Sequence, residues 1–295
     1  MDRPAHLVIG SDGTVGGALF RRILNSGQPV IGTTRRGSSL DEHHIYLDLA
    51  DGADAWRCPR PVSVAILCAG ITRVHACRED PAYSSSVNVK GISTVIANLV
   101  AAGAFVIFLS TNQVLDGSVP RQPASSPHAP ATEYGRQKAE LETRLAQHGD
   151  SISIVRFAKI LGPQPSLIPA WVESLRSGKP IHPFSGMTMA PIPLSCAVTV
   201  LLIAAQLRLP GILQVTGQQD ISYADAARYG ANALGLDPQL IQPGTAADSG
   251  AATDPIPAYT SLNIDRIKAT MGITPPDSRW TIETAFANPQ ILGDA

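Results

Sequence analysis

The sequence AHLVIGSDGTVGGALFRRIL, residues 5–24, decides the fold class of this chain. Its first five residues are a short apolar run suited to a buried parallel strand. Gly10, Gly13 and Gly16 follow, and an amphipathic run begins at Ala18. In such a unit the first glycine permits a tight turn, the second lets the backbone approach a pyrophosphate, and the third lets helix pack on strand. A glycine-rich loop without a ligand is the alternative, and the flanking strand and helix favour a dinucleotide site.

Strand-like and helix-like segments alternate after this unit. Strands are predicted at 29–34, 44–49, 62–70, 104–109 and 152–157, and helices at 82–99 and 134–147. Such alternation is typical of a parallel sheet with helices on both faces. The predicted fold class is therefore α/β, a Rossmann-type doubly wound parallel sheet with a smaller C-terminal α/β substrate-binding region.

The composition changes at the Gly/Pro-rich turn 162–165, where a region rich in turns begins. An apolar helix at 197–207 and a strand at 211–216 are expected to rejoin the first domain. The predicted domains are a dinucleotide-binding domain at 1–162, rejoined by about 194–218, and a substrate-binding region at 163–193 and 219–295. Further helices are predicted at 170–177, 223–234 and 280–287, and a Gly/Ala/Pro/Asp-rich loop at 242–258.

The overall composition excludes several classes of protein. Of the 295 residues 44% are hydrophobic and 16% charged, with a net charge of -1, which indicates a globular chain and argues against binding to a nucleic acid polymer. The four cysteines and seven histidines show no metal-ligand spacing, so no metal is assigned. No signal segment is predicted before the first strand, and no apolar stretch of the sequence reaches membrane-spanning length. A cytoplasmic protein that does not bind membranes is expected.

The second predicted strand ends in Arg35 and Arg36, and no acidic residue follows until Asp41. An acid at this place binds the ribose 2′-hydroxyl of NAD, whereas an arginine suits the 2′-phosphate of NADP. NADP is the expected cofactor and NAD the alternative, since paired arginines also occur as solvated loop charges. Asp48 is placed to meet the adenine amine or to cap a helix. The predicted cofactor-binding residues are Gly10, Ser11, Asp12, Gly13, Thr14, Val15, Gly16, Arg35, Arg36, Asp48, Leu49, Cys68, Ala69, Gly70, Ser110, Tyr134 and Lys138.

Tyr134 and Lys138 are four residues apart in a helix-like run, so the phenol and the ammonium share one face. A cation beside a phenol favours the phenolate and lowers its pKa toward the range of a general acid or base. Ser110 and Thr111 end a predicted strand, at the sheet edge where ligands bind in open α/β folds. A lone Tyr-x-x-x-Lys would more often be an exposed tyrosine and a solvated lysine. The glycine loop and the Ser-Thr pair favour the catalytic interpretation.

Together these motifs resemble the extended short-chain dehydrogenase/reductase superfamily, and within it the dTDP-4-dehydrorhamnose reductase group, over nearly the whole chain. The matching segments are GSDGTVG at 10–16, AGITRV at 69–74, CREDP at 77–81, VN at 87–88, LSTNQVLDG at 109–117, YGRQK at 134–138 and PAYTSLN at 257–263. Three residues depart from the family pattern. Asn112 and Gln113 replace Asp-Tyr, and Ile256 replaces an Arg.

The resemblance implies an NADPH-dependent oxidoreductase that reduces a keto group, at C4 of a nucleotide-linked keto sugar. Tyr134 would protonate the forming alkoxide and Lys138 would hold the nicotinamide ribose. Thr111, with Ser110 as the second choice, would hydrogen-bond the carbonyl oxygen. The expected partners are this nucleotide-sugar and a second copy of the chain in a homodimer. A nucleotide-sugar epimerase and a non-catalytic NADP-binding regulatory or sensor protein are the alternatives.

Overall fold

The fold is described from a computed structural model that covers residues 4–51, 53–163, 167–245 and 256–293. Residues 164 and 165 of the predicted turn, and 246–255 of the predicted loop, lie outside the described residues. The strands are β1 Ala5–Ile9, β2 Val30–Thr34, β3 His44–Tyr46, β4 Val62–Leu67, β5 Phe105–Thr111, β6 Ile152–Phe157, β7 Ile160–Leu161, β8 Thr188–Met189, β9 Ile192–Pro193, β10 Gly211–Val215 and β11 Ile221–Ser222. The helices are α1 Thr14–Asn25, α2 Val74–Glu79, α3 Pro81–Ser85, α4 Ile92–Ala101, α5 Glu133–Leu145, α6 Leu167–Arg176, α7 Leu194–Leu207, α8 Tyr223–Ala233, α9 Asp265–Met271 and α10 Ser278–Ala287.

The central sheet has seven strands in the order β10-β6-β5-β4-β1-β2-β3. The pairings of β1 with β2, β1 with β4, β2 with β3 and β4 with β5 are parallel. Because β1 lies between β2 and β4, the strand order reverses there, and the glycine loop follows β1 at this switch point. The predicted α/β fold with a doubly wound parallel sheet is confirmed.

The sheet strands are apolar on both faces because helices cover both. Every residue of β2 is buried, and β5 has six buried residues of seven. The core beneath α4 and α5 contains strand residues Leu7, Ile9, Ala65, Val106 and Phe108 and helix residues Ile92, Val95, Ile96, Leu141 and Leu145. Burial on both faces explains why these strands read as continuous apolar runs in the sequence.

The helix predicted at 82–99 is interrupted. After α3 the chain forms a π-helical turn at Ser86–Gly91 before α4 begins. A Cβ at Gly91 would overlap the carbonyl of Leu49, so only glycine allows the helix to pass this close to the segment after β3. The wider turn also buries Asn88 completely. Single π-helical turns inside α-helices occur frequently at functional sites.

Contacts divide the chain into two units. The first comprises Met1–Val114, Thr132–Arg156 and Val198–Leu213, and the second Leu115–Ala131, Phe157–Ala197 and Gln214–Ala295. This division places 115–131 in the second unit, whereas the sequence analysis included it in 1–162. The assignment of dinucleotide binding to one region and substrate binding to the other stays a prediction.

The second unit has its own apolar core. Trp171 of α6 packs against Tyr223 and Phe286, whose ring centroids lie 6.3 and 6.4 Å from its own. Two small sheets accompany the helices, an antiparallel β8–β11 pair and a parallel β7–β9 pair. The five helices predicted from residue 134 onward are present, with ends shifted by three residues or fewer. The helix α9 was not predicted.

Candidate functional site

Side-chain hydrogen bonds tie the glycine loop to the end of β2. The amide of Gly10 donates to Thr33 Oγ1 at 3.0 Å, and Ser11 Oγ donates to the Thr33 carbonyl at 3.0 Å. Thr34 Oγ1 donates to Asp12 Oδ2 at 2.7 Å. The loop between β1 and α1 is therefore held in one conformation by the neighbouring strand, and the hydroxyl of Ser11 serves this purpose.

Close backbone approach requires two of the loop glycines, Gly10 and Gly16. Gly10 has φ +86°, and a Cβ there would lie 2.8 Å from Ala69. A Cβ at Gly16 would overlap the carbonyl of Gly10, whereas one at Gly13 would meet only that carbonyl at 3.4 Å. Gly13 is also the N-cap of α1 and provides no side-chain cap. The first-turn N–H groups of this twelve-residue helix thus lack a side-chain acceptor, as a phosphate-binding helix terminus requires.

A cavity of about 470 Å³ opens beside this loop, at the carboxyl ends of β1, β2 and β4. Its volume is in the range of small-molecule sites. It is lined by Ile9, Gly10, Asp12, Gly13, Thr33, Thr34, Arg35, Arg36, Leu47, Asp48, Leu49, Cys68, Ala69, Gly70, Ile71 and Val87. Ten of the predicted cofactor residues are in this lining. Those outside it are Ser11, Thr14, Val15, Gly16, Ser110, Tyr134 and Lys138.

The cavity lining combines phosphate-binding features with small apolar residues, as a dinucleotide needs. Arg35 and Arg36 are exposed, and the side chain of neither makes a hydrogen bond or ion pair with any residue that the structure describes. Burial raises the pKa of the Cys68 thiol to about 12, so this part of the wall is neutral. Asp48 is half-buried, and its Oδ1 accepts the Ala50 amide at 2.9 Å. The residues present fit NADP or NAD.

The structure brings Thr111 and Tyr134 together. Thr111 ends β5, Tyr134 lies in the first turn of α5, and the Thr111 side chain is near enough to the phenol to influence its pKa. Thr111 Oγ1 also accepts the Gln113 amide at 3.2 Å. Burial raises the pKa of Tyr134 well above its ordinary value, and the nearby Thr111 side chain opposes this rise. The phenol therefore keeps its proton at neutral pH.

Lys138 is buried one helical turn after Tyr134, with 3% of its surface exposed. Its Nζ donates to the Leu109 carbonyl at 2.9 Å and lies 4.4 Å from the ring centroid of Phe108 and 5.9 Å from that of Tyr134. Burial lowers the pKa of Lys138 to about 8, and the charge of Glu142 opposes this shift. The expected lowering of the Tyr134 pKa by Lys138 is not observed, because burial of the phenol dominates.

A buried ion pair supports the lysine from the next turn of α5. Arg156 Nη2 of β6 donates to Glu142 Oε2 at 2.6 Å, and the two side chains are 1% and 2% exposed. Ser110 Oγ donates to Glu142 Oε1 at 2.5 Å. Sequence analysis missed this pair. The signal was present, because Glu142 follows Lys138 by four residues on the buried face of α5 and Arg156 lies within an apolar strand.

An amide network joins α5 to the π-helical turn. Asn88 Oδ1 accepts the Ile71 amide at 2.8 Å, and Asn88 Nδ2 donates to Gln137 Oε1 at 2.9 Å. Gln137 Nε2 donates to Ser84 Oγ at 2.8 Å and Glu133 Oε1 at 3.0 Å. Since Gln137 lies between Tyr134 and Lys138 on the helix, this network fixes the rotation of the helix that carries both.

In the second unit, Asp220 anchors the segment PAYTSLN at 257–263. Its Oδ1 accepts the amides of Thr260 at 2.6 Å and Ser261 at 2.9 Å, and its Oδ2 accepts Ser261 Oγ at 2.5 Å. The amide of Tyr259 donates to the Gly117 carbonyl at 3.0 Å. Asp220 was not singled out in the sequence, because no local pattern marks its partners forty residues later.

Residues 5–291 match the family described as RmlD substrate binding domain. The chain belongs to this family. A dTDP-4-dehydrorhamnose reductase from Mycolicibacterium smegmatis is 27% identical over 294 residues, which cover 95% of this chain and 84% of that protein. A probable low-salt glycan biosynthesis reductase from Haloferax volcanii is 24% identical over 95% of this chain and 98% of that protein.

Solved structures show the same fold. The dTDP-4-dehydrorhamnose reductase from Bacillus anthracis, solved in complex with NADP, superposes with a TM-score of 0.83 at 16% identity and covers 97% of this chain and 99% of that one. The resemblance stated from the sequence motifs is thus confirmed at the level of the family and the fold.

One departure from the family motif has a structural role here. Gln113 Oε1 accepts Thr132 Oγ1 at 3.0 Å, and the same hydroxyl accepts the Gly135 amide at 3.0 Å as the N-cap of α5. Asn112 Oδ1 accepts a long hydrogen bond of 3.4 Å from Thr111. Gln113 therefore supports the first turn of the helix that carries Tyr134.

Across residues 4–51, 53–163, 167–245 and 256–293, no group of three His, Cys, Asp or Glu side chains is placed to hold a metal ion. No helix in that part of the chain is long and apolar enough to cross a membrane.

Proposed function

We propose that this chain is an NADPH-dependent reductase that acts on a keto group at C4 of a nucleotide-linked keto sugar. The observation that carries the proposal is the grouping of Thr111, Tyr134 and the buried Lys138 at the carboxyl end of β5. Family membership and the reductases from Mycolicibacterium smegmatis and Haloferax volcanii support the substrate class.

The chain's own residues supply placement and proton transfer. When bound, NADPH supplies the hydride. Tyr134 holds a proton that it donates to the carbonyl oxygen as negative charge develops there, and its raised pKa keeps that proton in place at neutral pH. Thr111 donates a hydrogen bond to the same oxygen. Lys138 holds the nicotinamide ribose and provides positive charge beside the phenol.

NADP is the proposed cofactor, with NAD as the alternative. Support comes from the two arginines at the cavity, which make no ion pair with the described residues. Ser110 serves the buried Glu142, which leaves Thr111 as the proposed contact to the substrate oxygen. The proposed compartment is the cytoplasm, where the four free thiols would stay reduced. A homodimer stays a prediction from the resemblance.

The test is oxidation of NADPH and NADH against a panel of 4-keto nucleotide-sugars that includes dTDP-4-dehydrorhamnose. Tyr134→Phe is expected to lower kcat by about 10²–10⁴-fold while it still binds NADPH. Tyr83→Phe is the matched control, because Tyr83 is 47% exposed on α3.

Three results would contradict the proposal. Isomerisation of a nucleotide-sugar without net oxidation of NADPH would favour an epimerase. Tight binding of NADPH without turnover of any keto sugar would favour a regulatory or sensor protein. Failure to bind either dinucleotide would overturn the cofactor site itself.

A further inference from the structure

Charges of both signs meet at one end of the dinucleotide cavity. Arg35 and Arg36 follow β2 directly, and Asp12 of the glycine loop lines the same cavity. The carboxylate of Asp12 forms no ion pair with either arginine. The Asp12 carboxylate and the guanidinium groups of Arg35 and Arg36 are therefore each available to a bound ligand, because they are not paired with one another.

The position of the Asp12 carboxylate is fixed by Thr34, the last residue of β2. Thr34 Oγ1 donates to Asp12 Oδ2 at 2.7 Å and accepts the Arg36 amide at 3.0 Å. In a Rossmann-type fold, the end of the second strand is where the ribose 2′ position of the cofactor is recognised. The hydroxyl of Thr34 thus holds the carboxylate next to the backbone that carries the arginines.

A carboxylate at this place treats the two cofactors differently. It accepts hydrogen bonds from the ribose hydroxyls of NAD, but it repels the negative charge of the 2′-phosphate of NADP. The arginines act in the opposite sense, because the 2′-phosphate gives them a partner that NAD lacks. The balance of these charges sets the preference between the cofactors.

We infer that Asp12 is a specificity-determining residue that weakens discrimination for NADP over NAD by opposing Arg35 and Arg36. This inference rests on the proposed function, since it concerns the cofactor of the same site. It assigns to the glycine loop a role in selecting the ribose, in addition to holding the pyrophosphate.

The test is titration of NADP⁺ and NAD⁺ by calorimetry, with wild type and Asp12→Asn. Asn keeps an oxygen that accepts the Thr34 hydroxyl, and Asp12 is exposed, so the fold is expected to persist. The ratio of Kd for NAD⁺ to Kd for NADP⁺ is expected to rise roughly three- to tenfold at low salt. The increase should shrink as salt screens the charges.

A second variant and a second pair of ligands keep the test independent of one substitution. Asp12→Ser removes the charge, keeps a hydroxyl, and should shift the ratio in the same direction. Adenosine 2′,5′-bisphosphate and AMP isolate the 2′-phosphate and should reproduce the effect. Asp150→Asn is the matched control, since Asp150 is exposed and does not line the cavity. It should leave both Kd values unchanged.

An unchanged ratio in both Asp12 variants would overturn the inference while leaving the proposed function intact. If wild type binds neither dinucleotide, the proposed function fails instead. A ratio that falls in the variants would also overturn the inference, because it would mean that Asp12 favours the 2′-phosphate.

Discussion

The protonation of Lys138 gives the proposed activity a defined pH dependence. Burial lowers its pKa to about 8, whereas burial raises the pKa of Tyr134. The cation is therefore present below pH 8 and is lost as the pH rises through about 8, before the phenol ionises. We expect kcat/KM for the keto sugar to fall above about pH 8, and a pH profile of the free enzyme would measure this.

Lys138→Met serves as the control for this profile. It should be nearly inactive at every pH and should show no fall near pH 8. A wild-type profile that stays flat from about pH 7 to 10 would contradict the assignment, since the buried lysine would then not govern the reaction.

The hydroxyl of Thr111 is expected to act directly on the substrate oxygen. Thr111→Val preserves shape but removes the donor, so kcat should fall by about 10²–10³-fold, whereas Thr111→Ser should retain most of the rate. Thr143→Val is the matched control, because Thr143 is exposed on α5 and bonds only its own helix. Equal rates for Thr111→Val and wild type would contradict this prediction, because they would mean that another group donates the hydrogen bond to the substrate oxygen.

At the scale of the element, α5 carries Tyr134, Lys138 and Glu142 at intervals of four residues. Glu142→Gln removes the carboxylate that pairs with the buried Arg156, so we expect a loss of about 3–5 kcal/mol in the free energy of unfolding. Denaturant unfolding measures this loss. Glu140→Gln is the control, because the exposed Glu140–Arg144 pair should contribute about 1 kcal/mol or less.

The double variant Glu142→Gln with Arg156→Met separates the loss of charge pairing from poor packing. It should recover much of the stability that Glu142→Gln loses, since the charge of Arg156 is removed together with that of Glu142. If the double variant is no more stable than the single one, the cost of Glu142→Gln arises from lost packing and not from the buried charge of Arg156.

At the scale of the whole molecule, the two units offer a test of the domain assignment. NADP⁺ at about 100 times its Kd should stabilise the folded chain by about 2.7 kcal/mol. Hydrogen exchange should show which backbone amides NADP⁺ protects. We expect this protection at residues 10–17, 33–36 and 47–49 of the first unit. Protection confined to the second unit would contradict the assignment of the dinucleotide to the first.

The parts of the fold that were predictable are those in which local pattern and tertiary structure agree. The apolar strands and the glycine loop are fixed within about 20 residues of sequence, so 5–24 was sufficient to predict the Rossmann-type sheet. Tyr134 and Lys138 were predictable because one helix carries both. The direction of the Tyr134 pKa shift was not predictable, because it depends on how deeply the phenol is buried in the folded chain.

The features that were missed join residues far apart in sequence. Asn88 reaches Gln137 across 49 positions, and Asp220 holds Ser261 across 41. The π-helical turn was read as ordinary helix, because its residues have no distinctive composition. Gly91 is required because the Leu49 carbonyl lies against it, and these two residues approach each other only in the folded chain.

The π-helical turn at Ser86–Gly91 also fixes the length of the chain at this place. A π-helical turn holds one residue more than an α-helical turn, so deleting one residue here would relax the turn to a narrower α-helix while α3 and α4 keep their mutual orientation. Asn88 would then lose the wider turn that buries it next to Gln137. In family members that share the bond between Asn88 and Gln137, we expect no insertion or deletion of a single residue within 86–91. Such changes should occur at the ends of the helices instead.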